Sequence, residues 1–211
     1  MRFFRYFLLA LLILALDQTT KLLVYENMYR GEEIPLLGDW LKIHYTLNPG
    51  VAFGASFSTP LGKLGLTLFR ATAVIVIAVY IIRHEVKKFP TSYLFAVSMI
   101  FAGALGNVVD STFYGIFLEG NAVIYLSHPQ ESIPFYPWFQ GQVIDMIYFD
   151  IARGHYPDWL PLLGGKSYSF WPIFNVADAS IFLGVTYILI NYKKFFPKEN
   201  PRETASIPVG E

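Results

Sequence analysis

The sequence contains no cysteine in its 211 residues, which excludes disulfides, a cysteine nucleophile, cysteine-bound metal and lipid attachment to cysteine. Its four histidines are scattered and form no H-E-x-x-H pattern, and no serine stands in a G-x-S-x-G context. Charged residues make up only 15% of the chain and their net charge is zero, so charge gives no basis for nucleic-acid binding. We therefore predict no metal, no other cofactor and no nucleic-acid partner.

Apolar residues are abundant instead: 54% of the chain is hydrophobic, 18% is aromatic, and the mean hydropathy is +0.42. This composition is typical of a membrane protein that crosses the bilayer several times. At a rise of about 1.5 Å per residue, four apolar segments each give a helix of roughly 27–33 Å, enough to span the hydrocarbon core. They cover about 6–25, 64–82, 93–110 and 171–192. We predict an all-α membrane protein with four transmembrane helices.

Lysine and arginine are concentrated at the N-terminus, in the link between the second and third segments, and in the tail. By the positive-inside rule, both termini are cytoplasmic and the loops over about 26–63 and 111–169 lie outside. Residues 1–192 then form a single membrane domain. The polar, proline-containing remainder, 193–211, is predicted to be a disordered cytoplasmic tail.

The two outer loops differ in pattern. In the first, WLKIHYTLN alternates apolar and polar residues and ends in the turn signal Asn48-Pro49-Gly50, which predicts a small extracytoplasmic β-element. The second loop is long and aromatic, with PFYPWF over 134–139. Its aromatic residues suit either anchoring at the membrane interface or a lid that faces a substrate.

Polar residues inside the apolar segments converge on the outer side of the membrane. A carboxylate at the centre of a membrane helix costs about 3 kcal/mol, so each such residue needs a partner or a function. Taken singly, these residues could pair or cap helices, but a scaffold has little reason to accept several such costs together. The residues are Asp17, Gln18 and Lys21 on the first segment, Asn107 and Asp110 on the third, Asp145 in the second loop, and Asn175 and Asp178 on the fourth.

Because cysteine is absent and no serine or metal motif occurs, the remaining candidate catalytic groups are the carboxylates. Two carboxylates that share one proton can activate a water and protonate a leaving amine. From the residues alone, both Asp110 and Asp145 are possible partners of Asp178. A small transporter or ion-conducting protein is the alternative function, although the inner halves of the segments carry few ionisable residues apart from Arg70. A four-helix scaffold explains the topology but not the acidic convergence.

Five stretches of the chain resemble the lipoprotein signal peptidases, the type II signal peptidases of bacteria. They occur in the order found in that family and touch every apolar segment except the second. The stretches are DQTTK (17–21), NPGVAFG (48–54), GALGNVVDS (103–111), VIDMI (143–147) and FNVADASI (174–181).

The resemblance implies an aspartic endopeptidase of the inner membrane that cuts prolipoproteins just before a diacylglyceryl-modified cysteine. It implies Asp145 and Asp178 as the catalytic pair, and membrane lipid and the cyclic peptide globomycin as further partners. The residues that line or support the site by the same resemblance are Asp17, Lys21, Asn48, Gly50, Asn107, Asp110 and Asn175.

This chain departs from the family pattern in two places. An arginine commonly follows the family's G-N-x-x-D motif, but Ser111 stands there. We expect any contact that this arginine makes to be either absent or supplied elsewhere, by Arg153 or Lys166. The stretches between Asp110 and Asp145 and between Asp145 and Asp178 are also longer than in many members, which predicts a different cover over the site.

Overall fold

The computed structural model describes residues 3–50, 59–86, 89–126, 128–150, 153–161, 164–169 and 173–196. The helices are α1 (Phe4–Asn27), α2 (Pro60–Val86), α3 (Thr91–Val109), α4 (Gly115–Phe117), α5 (Val176–Ile190) and α6 (Tyr192–Phe195), with a π-helical turn (Asp110–Tyr114) between α3 and α4 and a 3-10 turn (Gln130–Ser132). The strands are β1 (Glu33–Leu37), β2 (Leu41–Asn48), β3 (Val143–Phe149), β4 (Arg153–His155) and β5 (Ser167–Ser169).

Among the described residues, three helical stretches are long and apolar enough to cross a membrane: Phe4–Asn27, Pro60–Arg83 and Thr91–Phe117. Many of their large apolar side chains are exposed, as expected where a helix faces lipid rather than water. The predicted first three spans are therefore present, each extended by a few residues. The molecule is mostly helical, with a small sheet, and is a multi-pass membrane protein.

The fourth predicted segment forms a shorter helix than the sequence indicates. The side chain of Asn175 accepts a hydrogen bond from the Asp178 backbone N–H at 2.9 Å, and this N-cap starts α5 at Val176. Fifteen residues rise about 22 Å, less than the ~30 Å of a hydrocarbon core. Asn175 is thus the cap of the helix rather than part of its face, and a complete fourth crossing stays a prediction.

Helix α3 lies at the centre of the bundle and packs against α1, α2 and α5. Two glycines permit its close approach to α5 and α1. A Cβ on Gly103 would overlap the backbone carbonyl oxygen of Ala177, and one on Gly106 would lie 2.6 Å from an Asp17 carboxylate oxygen. The GALGN stretch therefore brings the polar residues of three helices within hydrogen-bonding distance.

The predicted β-element is a three-stranded antiparallel sheet in the order β1-β2-β3. Its central strand, β2, is the predicted alternating stretch, and Thr46 lies opposite Asp145 of β3. An apolar cluster seats the sheet on the C-terminal end of α1 and on the residues that follow α3. Its buried members are Val24, Tyr45, Tyr114, Leu118, Ile144 and Met146. The sheet holds Asp145 over the ends of the helices.

Outside this core, β4 and β5 form a separate antiparallel hairpin between β3 and α5. At the other end of the chain, Phe195 of α6 is buried against the ring of Tyr93, so the first residues after α5 pack onto the bundle. The rest of the tail, from 197 onward, lies outside the described residues. Its disorder stays a prediction.

Candidate active site

A buried ionic cluster joins α1 to the end of α3. The Lys21 ammonium lies 2.7 Å from Asp17 Oδ2 and 2.6 Å from Asp110 Oδ2, and all three side chains are at most 1% exposed. Gln18 Nε2 donates to Asp110 Oδ1 at 2.9 Å. Asp17 Oδ1 accepts from the backbone N–H of Ala177 at 2.8 Å, which fixes the start of α5. Each of the three charges in this cluster therefore has an opposite charge within 2.7 Å.

A second carboxylate pair lies next to this cluster. Asn175 Nδ2 donates to Asp145 Oδ1 at 2.6 Å, while its Oδ1 accepts from the Asp178 N–H, so one amide links both aspartates. Asp178 Oδ1 accepts from Asn107 Nδ2 at 2.9 Å. Asp145 is buried and Asp178 is partly exposed. Neither carboxylate has an ion-pair partner within the described residues, so these two are the acids available for chemistry.

Backbone pairing explains how residues thirty positions apart meet here. Ile147 and Phe174 exchange two backbone hydrogen bonds, of 2.7 and 3.1 Å. This bridge fastens the residue before Asn175 to β3, the strand that carries Asp145. The start of α5 is thereby placed against the sheet.

The turn after β2 completes the pair's surroundings. Asn48 Nδ2 donates to Asp145 Oδ2 at 3.1 Å, and its Oδ1 accepts from the Gly50 N–H at 2.9 Å. Gly50 adopts a φ of +104°, a conformation that favours glycine, and a Cβ there would collide with Leu66. Both Asp145 oxygens therefore accept from amides. The remainder of NPGVAFG, 51–54, lies outside the described residues.

The environment of Asp145 alters its acidity. Burial, followed by the negative charge of Asp178, raises the pKa of the Asp145 carboxyl to about 7, against hydrogen bonds from Asn48 and Asn175 that lower it. A carboxyl that titrates near neutrality can hold a proton beside an ionised partner.

The structure thus brings all nine predicted site residues into one connected network. Asn107 joins the ionic cluster to the carboxylate pair, because its side chain hydrogen-bonds to both Lys21 and Asp178. Their catalytic and supporting roles stay predictions. Within the described ranges, no three His, Asp or Glu side chains are arranged to hold a metal ion.

Comparison with known proteins decides the family. A family model described as signal peptidase (SPase) II matches residues 9–194. The chain belongs to the signal peptidase II family. It is accordingly an aspartic-type protease that removes signal peptides from prolipoproteins.

Individual signal peptidase II relatives cover most of the chain. It is 40% identical to the lipoprotein signal peptidase of Amoebophilus asiaticus over 190 residues, covering 89% of this chain and 77% of the relative. It is 36% identical to that of Porphyromonas gingivalis over 195 residues, covering 88% and 81%. A solved bacterial membrane enzyme at 1.9 Å resolution is 24% identical with a TM-score of 0.57, covering 90% and 93%, and supports the fold alone.

The structure brings an unexpected arginine to the position where this chain departs from other signal peptidase II members. The Arg70 guanidinium of α2 donates to the Ser111 hydroxyl at 3.4 Å. Of the two predicted substitutes, Lys166 is exposed on the β4–β5 hairpin, and the Arg153 side chain lies outside the described residues. Arg70 lies in the first half of α2, near the site, and is not the isolated charge of the inner half that was predicted from the sequence.

Two further side chains of this signal peptidase II site were not among the predicted site residues. Gln18 bridges Asp110 and Tyr114, whose hydroxyl donates to Gln18 Oε1 at 3.0 Å. Gln18 stands beside Asp17 in the DQTTK stretch, so its polarity in an apolar helix is a usable sequence signal. Tyr114 is the last residue of the π-helical turn, which no sequence pattern indicates.

Proposed function

We propose that the protein cleaves diacylglyceryl-modified prolipoproteins just before the lipidated cysteine, with Asp145 and Asp178 as its catalytic pair. The observation that carries this proposal is the linkage of both carboxylates through Asn175, with no cation bound to either within the described residues. In the same proposal the protein lies in the bacterial inner membrane, crosses it four times with both termini in the cytoplasm, and binds globomycin-type inhibitors.

The proposed reaction needs one proton on the pair. Asp178 as carboxylate takes a proton from a water, whose oxygen attacks the scissile carbonyl, while protonated Asp145 donates its proton to the carbonyl oxygen. Collapse of the tetrahedral diol breaks the C–N bond, and a proton returns to the leaving amine. The products are a carboxylic acid and the free amine of the lipidated cysteine. Burial of Asp145 supports its role as the protonated partner.

An apolar groove beside the pair supports the diacylglyceryl specificity. It has a volume of about 470 Å³ and runs between α1 and one face of the sheet. Its lining residues include Ile147, two residues beyond Asp145, and Val176, two before Asp178. An acyl chain in this groove would place the cysteine beside the pair. The groove is lined by Thr20, Leu23, Val24, Leu36, Leu41, Ile43, Met146, Ile147, Phe149 and Val176.

We expect the purified protein to cleave a lipidated precursor at least about a hundredfold faster than the same precursor without lipid, because anchored acyl chains fix the depth of the scissile bond. The measurement compares kcat/KM for the two precursors. Equal turnover of both would overturn the proposed substrate class.

Leu36 offers a local test of the groove. Leu36→Asp would place a charge against the acyl chain and raise KM for the lipidated precursor about tenfold. The matched control is Leu37→Asp, because Leu37 is as exposed (55% against 54%) but does not line the groove. Equal effects of the two variants would remove the groove from lipid binding.

The rate should also depend on pH around the Asp145 carboxyl. Because its pKa is raised to about 7, a rise in pH through this value removes the shared proton, so kcat/KM should fall on the alkaline side. Asn48→Ala deletes a hydrogen bond that stabilises the ionised form, so the pKa rises further. The alkaline limb should then move to higher pH, by up to about one unit.

Asn27→Ala is the control for this measurement, because Asn27 is exposed at the end of α1 and donates to the Leu23 carbonyl. Its pH profile should match that of the unmodified protein. An alkaline limb that stays in place in Asn48→Ala, or moves to lower pH, would contradict the assignment of the proton to Asp145.

A further inference from the structure

Helix α2 carries a polar face toward the carboxylates, although the opposite face of the helix is apolar and exposed. Lys63, Thr67 and Arg70 follow the spacing i, i+4, i+7, which places them on one side of a helix. Lys63 and Thr67 are buried, whereas Leu68 and Phe69 are exposed. We call Lys63, Thr67 and Arg70 the α2 polar face. Nothing in the proposed reaction uses it.

Most hydrogen-bond donors of this face have no acceptor. Lys63 Nζ is fully buried and has no hydrogen-bond partner in the part of the chain that the structure describes. Arg70 donates to Ser111 at 3.4 Å, one contact for a group with five N–H donors. Within the same ranges neither side chain forms an ion pair. Because buried donors without acceptors are costly, the arrangement favours a ligand that supplies them.

The unpaired donors lie close to the site. The Arg70 guanidinium contacts Ser111, the residue after Asp110, and is attracted by Asp178, Asp110 and Asp145. Lys63 interacts with Asp110 and is repelled by Arg70. Its Nζ is also 3.7 Å from the position of a Cβ on Gly50, in the turn that orients Asp145 through Asn48. A peptide that reaches Asp145 and Asp178 would pass between them and α2.

The charge balance indicates a neutral ligand. The network and the α2 polar face together hold four carboxylates, Asp17, Asp110, Asp145 and Asp178, and three basic side chains, Lys21, Lys63 and Arg70. With one proton on the catalytic pair, these groups carry no excess of positive charge. A phosphate would then meet no excess of positive charge, whereas a carbonyl oxygen accepts hydrogen bonds without adding charge.

The spacing fits an extended peptide. Lys63 and Arg70 are seven residues apart, a rise of about 10 Å along α2. In an extended chain, the carbonyl oxygens that point to one side belong to alternate residues, so oxygens two or four residues apart lie about 7 or 13 Å from each other. The long side chains of Lys63 and Arg70 can reach two such oxygens in turn.

We propose that Arg70 and Lys63 bind main-chain carbonyl oxygens of the substrate peptide on the side of the cleft opposite Asp145 and Asp178. Arg70, which donates to Ser111 next to Asp110, holds the carbonyl nearer the scissile bond, and Lys63 holds one two or four residues away. Arg70 lies on α2 and thus brings a guanidinium to Ser111, which follows α3. The proposal rests on the proposed function, because the ligand is the signal-peptide segment of its substrate.

The test measures KM, kcat and thermal unfolding for Arg70→Gln, Arg70→Lys and Lys63→Met with the lipidated precursor. Loss of a charged hydrogen bond should raise KM about tenfold or more in Arg70→Gln, with a smaller rise in Arg70→Lys, which keeps the charge but not the planar fork. Lys63→Met should raise KM several-fold. Arg30→Gln is the control, since Arg30 is exposed and outside the site, and its KM should not change.

Binding of the precursor to the inactive Asp178→Asn protein gives a second readout that needs no cleavage. Adding Arg70→Gln in this background should weaken binding by a factor similar to the rise in KM. Unchanged KM and binding in a folded Arg70→Gln protein would overturn the proposal. If the effect disappears in detergent free of phospholipid, the ligand is a lipid headgroup and the proposal is again wrong. Failure of the unmodified protein to cleave would instead refute the proposed function, whatever Arg70 does.

Discussion

Replacement of either Asp145 or Asp178 by asparagine should lower kcat by at least ~10³-fold while the protein stays folded and in the membrane. An amide has nearly the size of a carboxyl but cannot share the proton, so the general acid or base is lost. The double variant should be little slower than either single one, because the two groups act as a unit. The measurement is single-turnover cleavage of a lipidated precursor, with thermal unfolding as the test of folding.

The two variants should differ in stability for a reason visible in the hydrogen bonds. Asp178 accepts from Asn107, and the carbonyl oxygen of an asparagine can replace that contact. Asp145 accepts from Asn48 and Asn175 on its two oxygens, so an asparagine would direct its NH₂ at another donor. We expect Asp145→Asn to lose about 1–3 kcal/mol and Asp178→Asn to lose little.

Asp110 is the discriminating control, because the sequence alone did not decide whether Asp110 or Asp145 is the catalytic partner of Asp178. It is buried in an ion pair with Lys21 and should affect stability first. Asp110→Asn is expected to unfold at a lower temperature and to retain turnover below it. A folded but inactive Asp110→Asn protein, together with an active Asp145→Asn protein, would assign the pair to Asp110 and Asp178.

Short sequence patterns predicted the helices and the strand whose signal lies within one stretch of chain. The long apolar runs gave α1, α2 and α3, and the period-two alternation gave β2, because each pattern is contained in one short window. β3 was not predicted as a strand. Its partner β2 lies about a hundred residues earlier, and VIDMI shows no alternation because both of its faces are buried.

For the site, the identity of the residues was predictable from the sequence, whereas the contacts between them were not. Carboxylates and amides in apolar segments were predictable as site residues, because burial without partners would be costly. Which of them pair was not predictable from the residues, since Lys21 reaches Asp110 only after Gly106 allows α1 and α3 to approach. The position of Arg70 at Ser111 depends on the relative rotation of α2 and α3, which a single sequence does not encode in any short pattern.

The second large effect should come from Lys21, which touches neither member of the catalytic pair. Lys21→Met removes the ammonium between Asp17 and Asp110 and leaves two carboxylates facing each other without exposure to solvent. Loss of one partner of a buried ion pair costs about 3–5 kcal/mol, more than the pair contributes net, because the remaining charge is uncompensated. We expect the unfolding free energy in detergent to fall by this amount.

Lys42→Met is the matched control, because Lys42 also bridges two carboxylates, Glu33 and Asp150, at 3.1 and 3.0 Å. Its side chain is 16% exposed and solvent can replace the lost charge, so the cost should stay within about 1 kcal/mol. In the Lys21→Met background, Asp110→Asn should recover stability, because it removes a carboxylate that has lost its counter-charge. Equal losses in Lys21→Met and Lys42→Met, with no recovery in the double variant, would show that the buried cluster does not hold α1 to α3.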